Sequence, residues 1–287
     1  MRAFICAALF LPIVSISCTS SDASTAPSPD IASQLNGDPS SDELPVVSVD
    51  CGAQISSDLR LGADLTCNGN GFTVSGDDIT IDLNGRTLSG SGTGNGITVN
   101  ASHRVRIFGG AIAGFQSGIF VSNSTDVVIR DNEFSATNQA VLFQATTASV
   151  VKHNTVTNNI ARAFMLRPNL MGGQSTGNVV IGNLVVDTPT GIYIIRQPGN
   201  TIQENTVINA TVAGVDFAEG GGEVSGNIIR ANLLAGGGAG IRFSSGAIDN
   251  VIVGNRINGN ACGLAGPALG NRFEGNVLIG NVADACP

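Results

Sequence analysis

Seven segments of this chain share one pattern, apolar-x-x-Asn-x-apolar: "IRDNEF", "VKHNTV", "VIGNLV", "IQENTV", "IRANLL", "IVGNRI" and "FEGNVL". Their asparagines are Asn132, Asn154, Asn183, Asn205, Asn232, Asn255 and Asn276, at successive intervals of 22, 29, 22, 27, 23 and 21 residues. A period of about 22 residues with occasional insertions means one supersecondary unit stacked on copies of itself. A second piece recurs alongside it, in "NGITV", "SGIFV", "QAVLF", "TGIYI", "AGVDF" and "AGIRF". These are short β-branched or aromatic strands opened by a small residue, with inward and outward positions alternating. Two to three such strands per unit, joined by turns, describe one coil of a parallel β-solenoid.

The asparagine has a physical task in that geometry. Coils stack at about 4.8 Å, so the same side chain recurs directly above itself. An amide donates and accepts at once, so a column of amides can satisfy both its neighbours and the turn backbone. Leucine there would leave backbone groups unpaired, at roughly 1–3 kcal/mol per group. The stretch "VVIRDNEF" also fits a leucine-rich-repeat core, which stacks an asparagine too. The returning stretch "SATNQAVLFQATTAS", however, is β-branched and polar with no helical apolar stripe, which excludes that horseshoe.

Together with the opening "CGAQISSDLRLGADLTCNGNGFTVSGDDITIDLNGRTLSG", these repeats resemble the bacterial pectin-lyase-like right-handed parallel β-helix proteins. The resemblance covers residues 51–287. It implies an all-β solenoid of about ten coils with an inward asparagine ladder. It does not choose a function, because that superfamily includes lyases, hydrolases, epimerases, adhesins and proteins of unknown role.

Ahead of the repeats stand two segments of different character. Residues 1–17 read as an export signal, with Arg2 followed by an apolar run from Ala3 to Ile16. The run ends in "SISC", which resembles a bacterial lipobox and makes Cys18 the expected lipidation site. Cleavage after "STA" at residues 24–26 would instead give a soluble secreted protein. Residues 18–50 are largely Ser, Asp, Pro and Ala without periodicity, a flexible tether. The expected location is therefore extracytoplasmic, as a cell-envelope lipoprotein, or secreted if Cys18 carries no lipid. Membrane contact is expected only through that anchor, since no apolar stretch downstream of the leader is long enough to span a bilayer.

The formal net charge of −8 and the lack of a basic stripe exclude nucleic acid as a partner. That charge also opposes an anionic polysaccharide unless a divalent cation bridges the two. Cys51, Cys67, Cys262 and Cys286 remain after the leader, an even number that suggests disulfides with three possible connectivities. In a solenoid, Cys51 and Cys262 lie eight or more coils apart, on the order of 40 Å. A disulfide needs Cα atoms within about 7 Å, which leaves Cys51–Cys67 and Cys262–Cys286. The cysteines lack C-x-x-C spacing and a nearby histidine, so no metal site and no cofactor are expected.

Three constellations could carry chemistry. Asp77 and Asp78 are similar to the paired aspartates of polygalacturonases, but "SGDDIT" reads as a turn and the Arg-x-Lys of those enzymes is absent. With Ile129 and Val151 inward, Arg130 and Lys152, the single lysine, share an outward column one coil apart, with Asp131 and His153 at the turn. In similar β-helix lyases an outward Lys or Arg removes the proton beside a uronate carboxylate, which makes Arg130, Lys152 and His153 the catalytic candidates. No acid cluster for calcium accompanies them, and a solvated charged face is the simpler expectation. A second outward column, Phe120, Leu142, Met165 and Tyr193, continues into Asp216 and Arg242 and is the binding candidate. The functional expectation is a scaffold that binds a polysaccharide or another cell-envelope component. The alternative is a polysaccharide lyase or related carbohydrate-active enzyme.

Overall fold

Each repeat folds into three short strands separated by corners, and every strand pairs in parallel with its counterparts one coil below and above. The computed structural model describes residues 44–287 apart from Glu219 and Gly221. The leader, Cys18 and the tether as far as residue 43 lie outside the described residues. Three sheets result, of 11, 10 and 11 strands, plus a minor pair formed by Val224–Ser225 and Ala247–Ile248. One 11-stranded sheet has strands of up to six residues, such as Ser117–Ser122, Gln139–Gln144 and Arg162–Arg167; we call it the long-strand sheet. The chain then turns into the lysine sheet, with Arg106–Phe108, Val128–Arg130 and Val150–Lys152. It next enters a third sheet, with Ala111–Ala113, Glu133–Ser135 and Thr155–Thr157. The architecture is a right-handed parallel β-helix of about ten coils, with no helix among the described residues.

Period-two alternation explains how such short strands hold together. Ile97, Ile119, Val141, Phe164, Ile192 and Val215 stack in register along the inner face of the long-strand sheet, each at most 2% exposed. Ile107, Ile129, Val151, Val180 and Ile202 form the equivalent column of the lysine sheet. Because like sits on like at every coil, the inner faces of the three sheets form one continuous apolar core that runs the length of the solenoid. The sheet edge begins earlier than expected: Val46–Val47, inside the segment assigned to the tether, pairs with Arg60 and Leu61. Two β-branched residues beside an open edge are enough to add that strand.

The asparagines occupy the corner between the lysine sheet and the third sheet. Asn205 is representative. Its Oδ1 accepts from the backbone N–H and the amide of Asn183 at 3.0 and 2.9 Å. Its Nδ2 donates to the carbonyls of Val180 and Gln203, both at 2.9 Å, and to Asn232 Oδ1 at 3.0 Å. The same pattern links Asn132, Asn154, Asn183, Asn205, Asn232, Asn255 and Asn276. All are at most 1% exposed except Asn276, which is half-buried on the last coil. The residue before each asparagine turns the corner in the left-handed region: Asp131, His153, Glu204 and Ala231 have φ of 53°, 54°, 56° and 54°, and Gly182, Gly254 and Gly275 take the same place.

The other two corners carry ladders that the repeat pattern did not reveal. Between the long-strand and lysine sheets, Asn178, Asn200, Asn227, Asn250 and Asn271 bond in series, and Ser149 extends the column toward the N-terminus, its N–H donating to Asn178 and its Oγ accepting from the Val127 N–H. At the third corner Asn260 and Asn281 pair, and Asn159 accepts from the Thr137 N–H. Disulfides Cys51–Cys67 and Cys262–Cys286, with Cα separations of 5.7 and 6.1 Å, lie near the two ends of the described solenoid.

Two measurements test this account. Asn205→Leu strands the Asn183 N–H and amide and two buried carbonyls, and is expected to lower stability by at least about 3 kcal/mol in urea denaturation. Asn276→Leu, on the half-buried last rung, is expected to cost well under half as much. Replacing Cys262 and Cys286 by serine removes a closed loop of 24 residues, roughly 3 kcal/mol in the chain-entropy model. Hydrogen exchange should then quicken in the last two coils and stay unchanged in the central ones.

Candidate functional site: the outer face of the long-strand sheet

The outward column has the register read from the repeats. Phe120 pairs with Leu142, Leu142 with Met165, Met165 with Tyr193, Tyr193 with Asp216 and Asp216 with Arg242. Leu142 and Met165 are 6% and 8% exposed, whereas Phe120 and Tyr193 are half-buried. Polar columns flank this apolar strip. Asn95, Ser117, Gln139 and Arg162 run along one side, and Asn100, Ser122, Gln144 and Arg167 along the other. Arg162 and Arg167 thus bracket Met165 on a single strand.

Three open cavities follow one another along this face. The first, of about 330 Å³, lies over Phe120, Leu142 and Met165, with Gln139, Arg162 and Arg167 in its walls. The second, of about 590 Å³, shares Met165 and Arg167 and adds Gln144, Leu170 and Arg196. The third, of about 360 Å³, is bounded by Tyr193, Asp216, Arg242 and Phe243. The first two share Met165 and Arg167, and the third follows on the same outward column through the pairing of Met165 with Tyr193, so the three lie in line along the solenoid axis and are called the groove below.

The charge in the groove opposes that of the whole chain. Asp216, 1% exposed, is neutralised by Arg242 through a two-pronged ion pair at 2.9 and 2.5 Å. Hydrogen bonding to Asp216 holds the Arg242 guanidinium above its ordinary range, against the opposing effect of partial burial. Arg162, Arg167 and Arg196 have no carboxylate partner among the described residues. Arg162 lies 4.1 Å from the centroid of the Tyr193 ring, and Arg167 donates to Gln144 Oε1 at 3.3 Å. By contrast Arg60, Arg104, Arg106, Arg130 and Arg272 are all ion-paired elsewhere. Three uncommitted guanidinium groups therefore line a groove on an acidic protein. Composition could not show this, because it averages charges that the coil register separates.

The lysine sheet brings Arg130 and Lys152 together as register partners, with Asp131 and His153 at the adjoining turn. They are not the solvated rung expected. Lys152 is 4% exposed and Arg130 has a side-chain exposure of 16%. The Arg130 guanidinium sits 3.9 Å from the Phe108 ring centroid and donates to Asp131 at 2.7 Å. Val128, Val150, Val179 and Ile181 form an apolar strip on the same outer face, and the lysine stem lies in register with it. His153 Nδ1 is 4.0 Å from Asp131, and its backbone makes the left-handed turn. None of these three residues lines the groove. Asp77 and Asp78 occupy an exposed turn. Asp77 accepts from the His103 N–H, and Asp78 pairs with Arg104, whose hydrogen bonds hold its carboxyl below the usual range.

Fold and groove together define a pectin-lyase-like parallel β-helix with an open cleft along one sheet. The chain belongs to the family described as "Periplasmic copper-binding protein (NosD)", whose model matches residues 51–221 and again residues 164–286. The two matches overlap, as a repeat requires. No curated protein sequence matches the chain significantly. Among solved structures, the chain is similar to an alginate lyase from Paenibacillus sp. str. FPU-7, with TM-score 0.58 and 14% identity over 82% of this chain and 98% of that one. It is similar to the periplasmic alginate epimerase AlgG, with TM-score 0.59 and 13% identity over 78% and 74%. A tailspike of E. coli bacteriophage HK620 in complex with a pentasaccharide aligns with TM-score 0.59 and 13% identity, over 80% of this chain and 53% of the tailspike. These likenesses establish the fold.

The family name raises the question of copper. Among the described residues no group of three or more His, Cys, Asp or Glu side chains could hold a metal ion. All four described cysteines are oxidised, His153 has only Asp131 as a nearby donor, and Met165 lies in the floor of the groove. This donor set does not fit a copper centre, which calls for convergent imidazole or sulfur ligands.

The Asp216–Arg242 pair makes an asymmetric prediction. Its carboxylate is buried and its guanidinium is 47% exposed. Arg242→Leu strands a buried charge and is expected to destabilise by about 2 kcal/mol, whereas Asp216→Leu leaves only an exposed one and should cost less. Thermal unfolding of both variants checks the order.

Proposed function

We propose that this chain is an exported carbohydrate-binding scaffold that holds an acidic glycan along the outer face of its long-strand sheet. The observation that carries this reading is the line of Arg162, Arg167 and Arg196, uncommitted to any described carboxylate, beside a continuous apolar floor. Glycan sites combine flat apolar contact with a few convergent polar groups, and the floor of Phe120, Leu142, Met165 and Tyr193 with the Gln139 and Gln144 amides supplies both. A guanidinium matches a carboxylate with two parallel N–H donors, so sugar acids are favoured over neutral sugars. The alginate enzymes and the tailspike–pentasaccharide complex on the same fold support a carbohydrate partner. The disulfides and the periplasmic family support an extracytoplasmic site of action. Export by the 1–17 leader belongs to this reading and rests on Arg2 and the apolar run Ala3–Ile16, and a diacyl anchor on Cys18 rests on "SISC". Arg130, Lys152 and His153 then serve packing and turn geometry, not proton abstraction.

Calorimetric titration with alginate oligosaccharides and a neutral dextrin tests the proposal. Binding to the acidic ligand, weakened by salt, is expected. Joint replacement of Arg162 and Arg167 by alanine should reduce affinity at least about tenfold, near 1.4 kcal/mol. Lys152→Ala should leave binding unchanged. Failure of the chain to bind any acidic glycan overturns the reading. A rise in ultraviolet absorbance from unsaturated products, lost in Lys152→Ala with binding intact, would establish the lyase instead.

A further inference from the structure

The gap of 29 residues between Asn154 and Asn183 is seven longer than the 22-residue coil before it. The extra residues lie between Arg167 and Ser175, at the corner beside the groove. Their tip is apolar: Leu170 and Met171 are 103% and 97% exposed, and no other adjacent pair of large hydrophobic residues among the described residues is exposed to that degree. The tip is also held in place. Asn169 Oδ1 accepts from the Met171 and Gly173 N–H groups at 3.0 and 2.7 Å, its own N–H donates to the Gly173 carbonyl at 2.9 Å, and its Nδ2 donates to Asn123 Oδ1 at 2.9 Å on an earlier coil. Two large apolar side chains are thus presented to solvent by a hydrogen-bonded turn.

We propose that this tip docks the protein on a phospholipid surface, with Leu170 and Met171 entering the interface and Arg167 and Arg196 meeting anionic headgroups. Both arginines line the cavity at the base of the loop, and among the described residues no carboxylate does. The chain is acidic as a whole, but screening over about 8 Å at physiological ionic strength leaves the local cations to act at the point of contact. Leu142 and Met165 lie buried in the groove floor, whereas Leu170 and Met171 are fully exposed, and an acyl-chain phase can surround such side chains where a sugar ring would cover only one side. The proposal shares Arg167 and Arg196 with the glycan reading but rests on the exposed Leu170 and Met171, which that reading does not use, and it does not require lipidation of Cys18.

The test is flotation of residues 18–287 carrying Cys18→Ser, which removes both the apolar leader and the acyl anchor, with vesicles of phosphatidylethanolamine and phosphatidylglycerol. The same protein with Leu170→Asp and Met171→Asp is the comparison. Both residues are fully exposed, so its thermal unfolding should be unchanged. At least a fivefold fall in the floated fraction is expected, on the order of the interfacial contribution of two apolar side chains. Equal flotation of the two proteins overturns the proposal, as does flotation of neither. Loss of acidic-glycan binding in the double variant without any change in flotation would also overturn it, by assigning the tip to the groove.

Discussion

The solenoid depends on a side-chain amide bonding to the next coil at the strand spacing. A corner must turn the backbone sharply, and a sharp turn leaves N–H and C=O groups without sheet partners inside an apolar interior. Each ladder asparagine resolves this for two coils at once. Its oxygen takes the N–H of the corner below, while its nitrogen returns to carbonyls on both coils. Because the bond runs along the axis, every corner is satisfied only if its neighbour carries the same residue at the same place. That mutual requirement keeps the strands in register, and register in turn places Phe120, Leu142, Met165 and Tyr193 on one line.

Much of this was legible from spacing alone. Asn132 to Asn276 could be read as a ladder because apolar residues bracket each one at fixed offsets. The second ladder has intervals of 22, 27, 23 and 21 and sits in "TGNVV", "PGNTI", "SGNII", "IDNVI" and "LGNRF". It was equally available, and was missed because the residues ahead of it are turn-formers and not a strand. The parity of the outward column was also readable, since Val151 inward makes its neighbours outward. What parity cannot give is environment. Lys152 points outward as its position demands, yet it is buried, because three valines and an isoleucine on its own face turn that part of the surface apolar. Nor could net charge reveal that Asp78, Asp82, Asp126, Asp131, Asp216 and Glu274 pair with other arginines, while Arg162, Arg167 and Arg196 stand together in the groove.

The groove illustrates how a repetitive scaffold can carry a non-repetitive site. Inward positions are constrained at every coil by the same packing, so Ile, Val and Phe recur there with little choice. Outward positions on the long-strand sheet face no such demand, and the column passes from Phe120 through Met165 and Tyr193 to the Asp216–Arg242 pair. On the proposed function, successive coils act as successive subsites roughly 4.8 Å apart. That is close to the length of one sugar ring, so a linear ligand meets a different side-chain set at each residue of its chain.

The three corners differ in how much length they tolerate. The corner holding the first ladder is two residues on every coil that carries it, as in Asp131–Asn132, because its amide must reach a fixed pair of carbonyls. The corner beside the groove takes five residues at 123–127 but eleven at 168–178. Insertions there leave both flanking strands in register, as the pairing of Val150 with Val179 across the longest of them shows. The molecule thus has a rigid seam on one side and an extensible hem on the other. Because the hem borders the groove, its walls can be rebuilt loop by loop without re-threading a single coil.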